Sequence, residues 1–397
     1  MEPIRWTMNH MPRTDDRWLD VMSVPEIEKA RAFHRSFPQY APTPLVSLNG
    51  AAKALGLGGL YVKDESFRFG LNAFKVLGGS YAIASEIARA LSRSIGETDY
   101  AYLTSGAFKE AFGQATFFTA TDGNHGRGVA WSAAQLGQKA VVLMPAGTVK
   151  SRYDNIAREG AAVTIENANY DECVRRAHAL SRQAERGVLV QDTAWPGYER
   201  IPCRIMQGYG TMAHEAAQQL EAYGVDRPTH VFIQAGVGSL AGAIAGYYAN
   251  LYGERCPKIV VMEAQAADCH YQSALAADGD IRIVSGSLDT MMAGLACGEP
   301  NPISFDILKN HAVCFVSCPD EISADGMRSL AHPSEGDPAI VSGESGAIGT
   351  GLIRAIMTDP ACEALRNALG LDESSTVLLF STEGDTDPEN YRAIVKE

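Results

Sequence analysis

Short runs of β-branched and aromatic residues alternate along the chain with longer stretches in which apolar residues recur every three or four positions. The short runs predict strands and the periodic stretches predict helices. The predicted strands lie at residues 60–63, 116–119, 140–144, 162–165, 188–191, 230–234, 259–262, 313–316 and 376–380. The predicted helices lie at residues 24–36, 126–136, 149–159, 170–186, 207–223, 239–252 and 345–357.

This alternation predicts an α/β protein with mostly parallel sheets. The predicted strands are almost continuously apolar, which is typical of strands that are covered on both faces. A chain of 397 residues suggests two domains at roughly 150 residues each. Because no repeat and no Pro-rich linker divides the chain, we expect the two domains to be intertwined. Residues 265–305 are rich in Asp, Gly and Ser and predict a long loop region.

Composition excludes several classes of protein. The net charge of −13 argues against binding to nucleic acid or to an anionic membrane, since both require basic patches. No run of about 18 apolar residues predicts a membrane span, and the N-terminus does not have the pattern of a signal peptide. The eight cysteines form no CxxC pair, so we expect reduced thiols, a cytoplasmic location and no metal site. Whether Cys269 and Cys297 form a disulfide stays open.

The first candidate for chemistry is Lys75, in the apolar segment 72–79. The pattern predicts a helix that begins at Asn72 and carries Lys75 one turn inside it. A buried lysine must be paired or neutral, and a desolvated amine of lowered pKa suits Schiff-base chemistry with a carbonyl compound. The alternative is a lysine whose stem lies on apolar surface while its amine reaches water.

Two glycine-rich turns each follow a predicted strand and precede a predicted helix. The turn Thr-Asp-Gly-Asn-His-Gly at 121–126 brings backbone amides and the Asn124 side chain to one point, where they can hold a planar ring or a carboxylate, although a plain turn is equally compatible. The segment Gly236, Val237, Gly238, Ser239 and Leu240, termed here the glycine loop, suits a phosphate because a helix N-terminus supplies amide donors there.

The glycine loop also fits the loose G-x-G-x-x-G/A pattern of dinucleotide-binding proteins, with Glu263 about twenty residues further on. An NAD(P)-dependent oxidoreductase is therefore a rival interpretation. It gives no role to Lys75 or to the Asn124 turn, whereas a ligand with an aldehyde, a ring and one phosphate uses all three sites. Pyridoxal 5′-phosphate is such a ligand.

A fourth segment, Ser381 and Thr382 after the last predicted strand, supports this interpretation. A hydroxyl group at this place can hydrogen-bond the pyridine nitrogen and leave it mostly unprotonated. A neutral ring is the weaker electron sink, which favours elimination at the β-carbon over transamination. Taken alone, these residues are also compatible with an ordinary turn.

With these residues the chain resembles the tryptophan-synthase-β-like, fold type II pyridoxal-phosphate enzymes and, within them, the diaminopropionate ammonia-lyase family. The resemblance covers the chain from about residue 30 to the C-terminus, but not the first thirty residues. The matching segments are 63–66, 68–75, 121–131, 190–195, 206–209, 292–301, 342–347 and 381–387.

The resemblance implies specific roles. Lys75 would be the Schiff-base lysine, Asn124 would contact the ring hydroxyl, and the glycine loop would bind the phosphate. Ser381 or Thr382 would contact the pyridine nitrogen, and the sequence leaves open which of the two does so. The resemblance also implies a homodimer of two intertwined three-layer α/β domains. We expect a large cofactor-binding domain at 1–84 plus 208–397 and a small one at 85–207.

The predicted reaction is the α,β-elimination of the β-amino group of D- or L-2,3-diaminopropionate, which makes the protein a carbon–nitrogen lyase. The 2-aminoacrylate that results hydrolyses to pyruvate and a second ammonia. Dehydratases of this fold typically carry a serine where this chain has Asp122. A carboxylate can orient a β-ammonium group or accept the α-proton, although Asp122 can also simply cap the next helix. Asp192 can bind an amine, position Asp122, or only form a turn.

Three alternatives stay open at this point. A serine/threonine dehydratase or a β-replacing synthase would share the fold and the cofactor. The NAD(P)-dependent oxidoreductase would share neither. A ligand-binding protein without turnover is disfavoured, since a binding protein need not keep Lys75, Asp122 and Asp192 together.

Replacing Asp122 tests the assignment of the two bases. We expect Lys75 to deprotonate the L substrate and Asp122 the D substrate, each from its own side of the cofactor plane. Asp122→Asn should therefore lower turnover of D-diaminopropionate by about 100-fold or more, and turnover of the L form less. Pyruvate release from each enantiomer measures this. An unchanged D rate with a lowered L rate would contradict the assignment.

Overall fold

The structure is a computed structural model that describes residues 3–121 and 123–396, with only the backbone of Asp171. Its strands are β1 Arg5–Met8, β2 Leu45–Ser47, β3 Gly59–Asp64, β4 Thr116–Ala120, β5 Lys139–Met144, β6 Ala162–Ile165, β7 Gly187–Leu189, β8 His230–Gln234, β9 Lys258–Ala264, β10 Ala312–Cys318 and β11 Thr376–Ser381. Asp122, a predicted site residue, lies outside the described residues.

Helices separate most of these strands. They are α1 Val24–Arg35, α2 Asn49–Leu55, α3 Val76–Ala90, α4 Tyr100–Leu103, α5 Gly106–Phe112, α6 Asn124–Gln135, α7 Lys150–Ala157, α8 Tyr170–Gln183, α9 Arg200–Ala222, α10 Ser239–Tyr252, α11 Cys269–Ala276, α12 Pro302–His311, α13 Asp320–Ala331, α14 Glu344–Thr358, α15 Glu363–Leu369 and α16 Pro388–Lys396. Within the described residues, no helix combines the length and the apolarity that crossing a bilayer requires.

The strands form two sheets. The larger sheet has seven strands in the order β1-β10-β9-β8-β11-β3-β2, and the smaller has four in the order β6-β5-β4-β7. All pairs of the smaller sheet are parallel. In the larger sheet only the two edge strands, β1 and β2, are antiparallel to their neighbours. The predicted α/β class with mostly parallel sheets is confirmed.

The apolarity of the strands reflects burial on both faces. All residues of β3 and β8 are buried, as are the last six residues of β9. Phe232 of β8 and Leu379 of β11 belong to one core cluster with Ile348 and Leu352 of α14. A strand in such a place must be apolar at every position, and this explains why the pattern predicted these strands well.

The chain divides into two compact units, each discontinuous in sequence. The first unit comprises Met1–Val24, Pro42–Phe67 and Met212–Glu397, and it contains the larger sheet. The second comprises Pro25–Ala41 and Arg68–Thr211, and it contains the smaller sheet. Residues 68–84, with Lys75, thus belong to the second unit. The domain boundaries predicted from the sequence stay a prediction.

Some local predictions are wrong. Strands β1 and β2 were not predicted because they are short edge strands with mostly half-buried residues and no apolar run. The region 265–305 is not wholly a loop, since it includes α11 and the start of α12. The helix that carries Lys75 does not begin at Asn72 but at Val76, with Lys75 at the N-cap. The backbone before it has positive φ angles at Phe69 and Asn72, which an α-helix does not allow.

Candidate active site

The predicted site residues lie in both compact units. Lys75, Asn124 and Asp192 belong to the second unit, and the glycine loop, Ser381 and Thr382 belong to the first.

Lys75 forms an ion pair with a buried carboxylate. Its Nζ atom lies 2.5 Å from Oδ2 of Asp192, and the two side chains are 20% and 6% exposed. The same Nζ atom lies 5.6 Å from the ring centre of Phe74 and 5.9 Å from that of Tyr209, which is within the range of cation–π contacts. Lys75 is therefore a paired and largely desolvated lysine, and its amine does not simply reach out into water.

Glycines allow this lysine to lie where it does. A Cβ atom on Gly128 of α6 would lie 2.8 Å from the backbone nitrogen of Val76, and one on Gly208 of α9 would lie 2.3 Å from the carbonyl oxygen of Leu77. Only glycine permits these approaches to the first turn of α3. The imidazole of His34 adds a fixed contact, because its Nε2 donates to the same Leu77 oxygen over 3.0 Å.

Asp192 is ionised at neutral pH in spite of its burial. Burial by itself raises the pKa of this carboxyl group, but the Lys75 ammonium, the nearby His125 and the hydrogen bond from Lys75 lower the pKa to about 2. His125 Nδ1 lies 3.8 Å from Asp192 Oδ2, and its Nε2 donates to the carbonyl oxygen of Val190 over 2.8 Å. Asp192 thus holds the Lys75 amine in one orientation.

Two neighbours of this pair were missed as site residues. The sequence predicts His125 only as part of the turn at 121–126. It marks Tyr209 only as part of segment 206–209, one of the segments that carry the family resemblance. Tyr209 is completely buried, and burial raises the pKa of its phenol, which therefore stays protonated. The spacing along the sequence gives no sign of either contact. Asn124 is the first residue of α6, whereas the sequence predicts a turn at 121–126 and a helix only from residue 126.

In the first unit, the glycine loop joins β8 to α10. Gly238 has φ +91° and is the N-cap residue of α10. A Cβ atom on Gly236 would lie 2.9 Å from the carbonyl oxygen of Gly294. The first amides of a helix have no acceptor within that helix, and its N-terminus carries a partial positive charge. The loop is therefore a cradle of amide donors that suits an anion.

Ser381 and Thr382 lie at the end of β11, the parallel neighbour of β8. Both residues are buried. The Ser381 hydroxyl donates to Ser342 Oγ over 2.8 Å. The Thr382 hydroxyl instead accepts a hydrogen bond of 3.1 Å from Gln234 Nε2, which leaves its own hydrogen for another acceptor. Parallel pairing places these hydroxyl groups and the glycine loop at the same edge of the sheet.

Glu263 does not fit the role that a dinucleotide site requires. It lies in β9, as predicted, but its Oε1 accepts from the backbone nitrogen and Nδ1 of His270 at 2.9 and 2.7 Å. Its Oε2 accepts from the backbone nitrogen of Tyr271 at 2.7 Å. Both oxygens are used, and the residue is fully buried, so no oxygen is available for a ribose hydroxyl. This argues against the oxidoreductase.

The donors in the two units match the chemistry of pyridoxal phosphate. The amine of Lys75 suits an aldehyde, the amides of the glycine loop suit a phosphate, and the hydroxyl of Thr382 suits a ring nitrogen. The Oε1 atom of Gln234, at the same strand end as the glycine loop, is buried and has no hydrogen-bond partner among the described residues. The residues present therefore fit this cofactor.

Comparisons with known proteins agree with this chemistry. The model of the family described as pyridoxal-phosphate dependent enzyme matches residues 37–380. Diaminopropionate ammonia-lyase of Salmonella typhimurium is 51% identical over 365 residues, which cover 92% of this chain and 90% of that protein.

Two crystal structures of Escherichia coli diaminopropionate ammonia-lyase are also similar. The complex with an aminoacrylate-PLP azomethine reaction intermediate has a TM-score of 0.90 and 43% identity, and it covers 100% of this chain and 97% of that one. The complex with D-serine has a TM-score of 0.90 and 44% identity, and it covers 99% and 97% of the two chains.

The ion pair predicts a pH-dependent contribution to stability. A pKa lowered from 3.8 to about 2 corresponds to about 2 kcal/mol, which is fully present above pH 4 and is lost as the pH falls through the folded-state pKa near 2. We expect Asp192→Asn to lower the free energy of unfolding most at neutral pH, and the difference from wild type to shrink between pH 4 and 2. Urea unfolding at several pH values measures this.

The exposed carboxylate Asp226, which pairs with Arg255 on the surface, gives the matched control. Asp226→Asn should change stability by less than about 1 kcal/mol, because surface ion pairs contribute little. A pH-independent effect of Asp192→Asn would contradict the role assigned to this ion pair.

Proposed function

Because the chain belongs to the pyridoxal-phosphate-dependent enzymes and, within them, to the diaminopropionate ammonia-lyases, we propose that it eliminates ammonia from 2,3-diaminopropionate. Each substrate molecule, D or L, reacts with one molecule of water overall and yields pyruvate and two molecules of ammonia. The observation that carries the proposal is the desolvated Lys75 amine, held 2.5 Å from Asp192 in a chain that also has the glycine loop.

The proposed cofactor contacts follow from the chemistry of each side chain. Lys75 binds the aldehyde through Nζ, Asn124 contacts the ring hydroxyl, and the glycine loop binds the phosphate. When bound, pyridoxal phosphate withdraws electrons from the substrate α-carbon and so makes its hydrogen acidic. The protein has to bind the cofactor, orient the substrate and move protons.

Lys75 and Asp192 supply the first part of this proton chemistry. The Asp192 carboxylate accepts a hydrogen bond from Nζ and thereby fixes the direction in which the amine points. With pyridoxal phosphate held at this place, the Lys75 amine would be the group that accepts the α-proton of the L form. Asp122 is proposed as the acceptor for the D form and as the partner of the β-ammonium group that leaves as ammonia.

We assign the contact with the ring nitrogen to Thr382 rather than to Ser381. The support is the direction of the hydrogen bonds, because Ser381 donates to Ser342, whereas Thr382 accepts from Gln234 and keeps its hydrogen. A hydroxyl donor leaves the ring nitrogen uncharged. The weaker electron sink that results favours loss of the β-amine over transamination.

The assembly, location and domain division are further parts of the proposal. We infer a homodimer in the cytoplasm, with a small-molecule diamino acid as substrate and no nucleic-acid or membrane partner. The net charge of −13 supports the last point. We also propose the domain division 1–84 plus 208–397 and 85–207, which differs from the two compact units in assigning residues 25–41, 68–84 and 208–211 to the larger domain.

Comparing two substrates tests the proposed function. Purified protein should show a visible absorption band of bound pyridoxal phosphate, and it should release pyruvate from DL-2,3-diaminopropionate at least tenfold faster than from DL-serine. Serine is the relevant competitor because a dehydratase or a β-replacing synthase of this fold would prefer it. A protein without the band, or with a preference for serine, would refute the proposal.

The same experiment needs a lysine control. Lys75→Ala should abolish the band and the pyruvate, whereas Lys53→Ala, an exposed lysine on α2, should leave both unchanged. Reduction with borohydride followed by peptide mapping should place the cofactor label on Lys75 alone.

The choice between the two hydroxyl groups gives a separate prediction. Thr382→Ala removes the proposed donor to the ring nitrogen, so we expect turnover to fall by about 10- to 100-fold and the absorption maximum to shift. Ser381→Ala, a neighbour that donates to Ser342 instead, should have the smaller effect. The reverse order would assign the ring contact to Ser381.

A further inference from the structure

A buried carboxylate–imidazole pair lies behind the glycine loop. Glu263 and His270 are both fully buried, and His270 Nδ1 lies 2.7 Å from Glu263 Oε1. Because a carboxylate can only accept, Nδ1 carries a hydrogen. The backbone nitrogens of His270 and Tyr271 also donate to Glu263, so α11 is anchored to the end of β9. The ring of His270 is therefore fixed in one orientation.

The other edge of this ring touches the glycine loop. A Cβ atom on Gly238 would lie 2.4 Å from His270 Nε2 and 2.9 Å from its Cε1. With φ +91°, Gly238 has the left-handed conformation that starts α10. The ring thus packs directly on the one backbone position that sets the direction of the amides that follow. Ser304 supports the same residue, since its hydroxyl donates to the carbonyl oxygen of Gly238.

The Nε2 atom of His270 is buried and has no hydrogen-bond partner among the described residues. Burying a polar atom in this way reduces stability. The hydrogen bond from Nδ1 to Glu263 accounts for a histidine at this place and fixes the orientation of its ring. The edge of the ring that carries the unsatisfied Nε2 is the edge that faces Gly238 of the glycine loop.

A metal ion is the other ligand to consider, because ligand atoms of Glu263, Cys269 and His270 lie within 4.8 Å of one another. The bonding argues against it. The oxygens of Glu263 already accept from two backbone amides, and His270 Nδ1 donates to the same carboxylate. Burial also raises the pKa of the Cys269 thiol well above its usual value, which disfavours the thiolate that a metal requires.

We propose that His270 is a positioning residue for the cofactor phosphate. Glu263 fixes its ring, and its Nε2 edge holds Gly238 in the left-handed conformation that aligns the amides of residues 238–240 on the phosphate. This inference rests on the proposed function, since it takes pyridoxal phosphate as the ligand of the glycine loop. It concerns the phosphate alone and not the aldehyde or the ring.

The test compares pyridoxal phosphate with pyridoxal, which lacks the phosphate. The full-length protein is freed of cofactor and titrated with each ligand, and absorbance reports formation of the bond to Lys75. We expect His270→Asn to raise the dissociation constant of pyridoxal phosphate about tenfold or more and to change that of pyridoxal less than about twofold. The ³¹P chemical shift of the bound phosphate should also move.

His230→Asn is the matched control. His230 is another buried histidine of the first unit, at the opposite end of β8, where its Nε2 donates to the carbonyl oxygen of Leu369. Its replacement removes a buried imidazole without touching the glycine loop. We expect the ratio of the two dissociation constants, for pyridoxal phosphate and for pyridoxal, to be the same in this variant as in wild type, even if the variant is less stable.

A second variant covers the case in which His270→Asn fails to fold. Glu263→Gln keeps the size of the side chain but weakens its hydrogen bond to the His270 imidazole. Like His270→Asn, it should therefore lower the preference for pyridoxal phosphate over pyridoxal. A folded His270→Asn or Glu263→Gln protein that keeps the wild-type preference would overturn the inference. Failure of the wild-type protein to bind pyridoxal phosphate at Lys75 would instead overturn the proposed function.

Discussion

The ion pair between Lys75 and Asp192 is the interaction on which the proposed chemistry of this protein depends. A lysine that is desolvated without a partner would lose its proton or unfold the segment that holds it. Here a carboxylate 2.5 Å away stabilises the ammonium and fixes its direction, and the rings of Phe74 and Tyr209 lie within the range of cation–π contacts. The pair therefore constrains the fold, and it keeps a proton on the Lys75 amine.

Close backbone packing makes this ion pair possible. The first turn of α3 lies so near to Gly128 and Gly208 that a methyl group at either position would collide with its backbone. The lysine is thus placed by rigid backbone rather than by a mobile side chain. A site that must present one amine in one direction gains from such support, because the geometry is set before any ligand binds.

The same principle operates at the edge of the larger sheet. Strands β8 and β11 are parallel neighbours, so the glycine loop and Thr382 leave the sheet at the same edge. Their polar groups are hydrogen-bonded by neighbouring side chains, Thr382 by Gln234 and Gly238 by Ser304. These neighbouring residues belong to no recognisable sequence motif, yet their hydrogen bonds determine which donors stay available to a ligand.

The sequence by itself determined the fold class, the nine principal strands and the strand ends next to which Asn124, Gly238 and Thr382 lie. These features depend on local periodicity and on turn residues, which short segments contain in full. The edge strands β1 and β2 and the start of α3 depend on pairing and on positive φ angles, which the apolar pattern does not register. Only the tertiary structure decided that Asp192 and Tyr209 lie beside Lys75, that His125 lies beside Asp192, and that Glu263 accepts hydrogen bonds from His270. The contacts around Lys75 and Asp192 join residues far apart in the chain, and all of these contacts depend on burial, which sequence spacing does not encode.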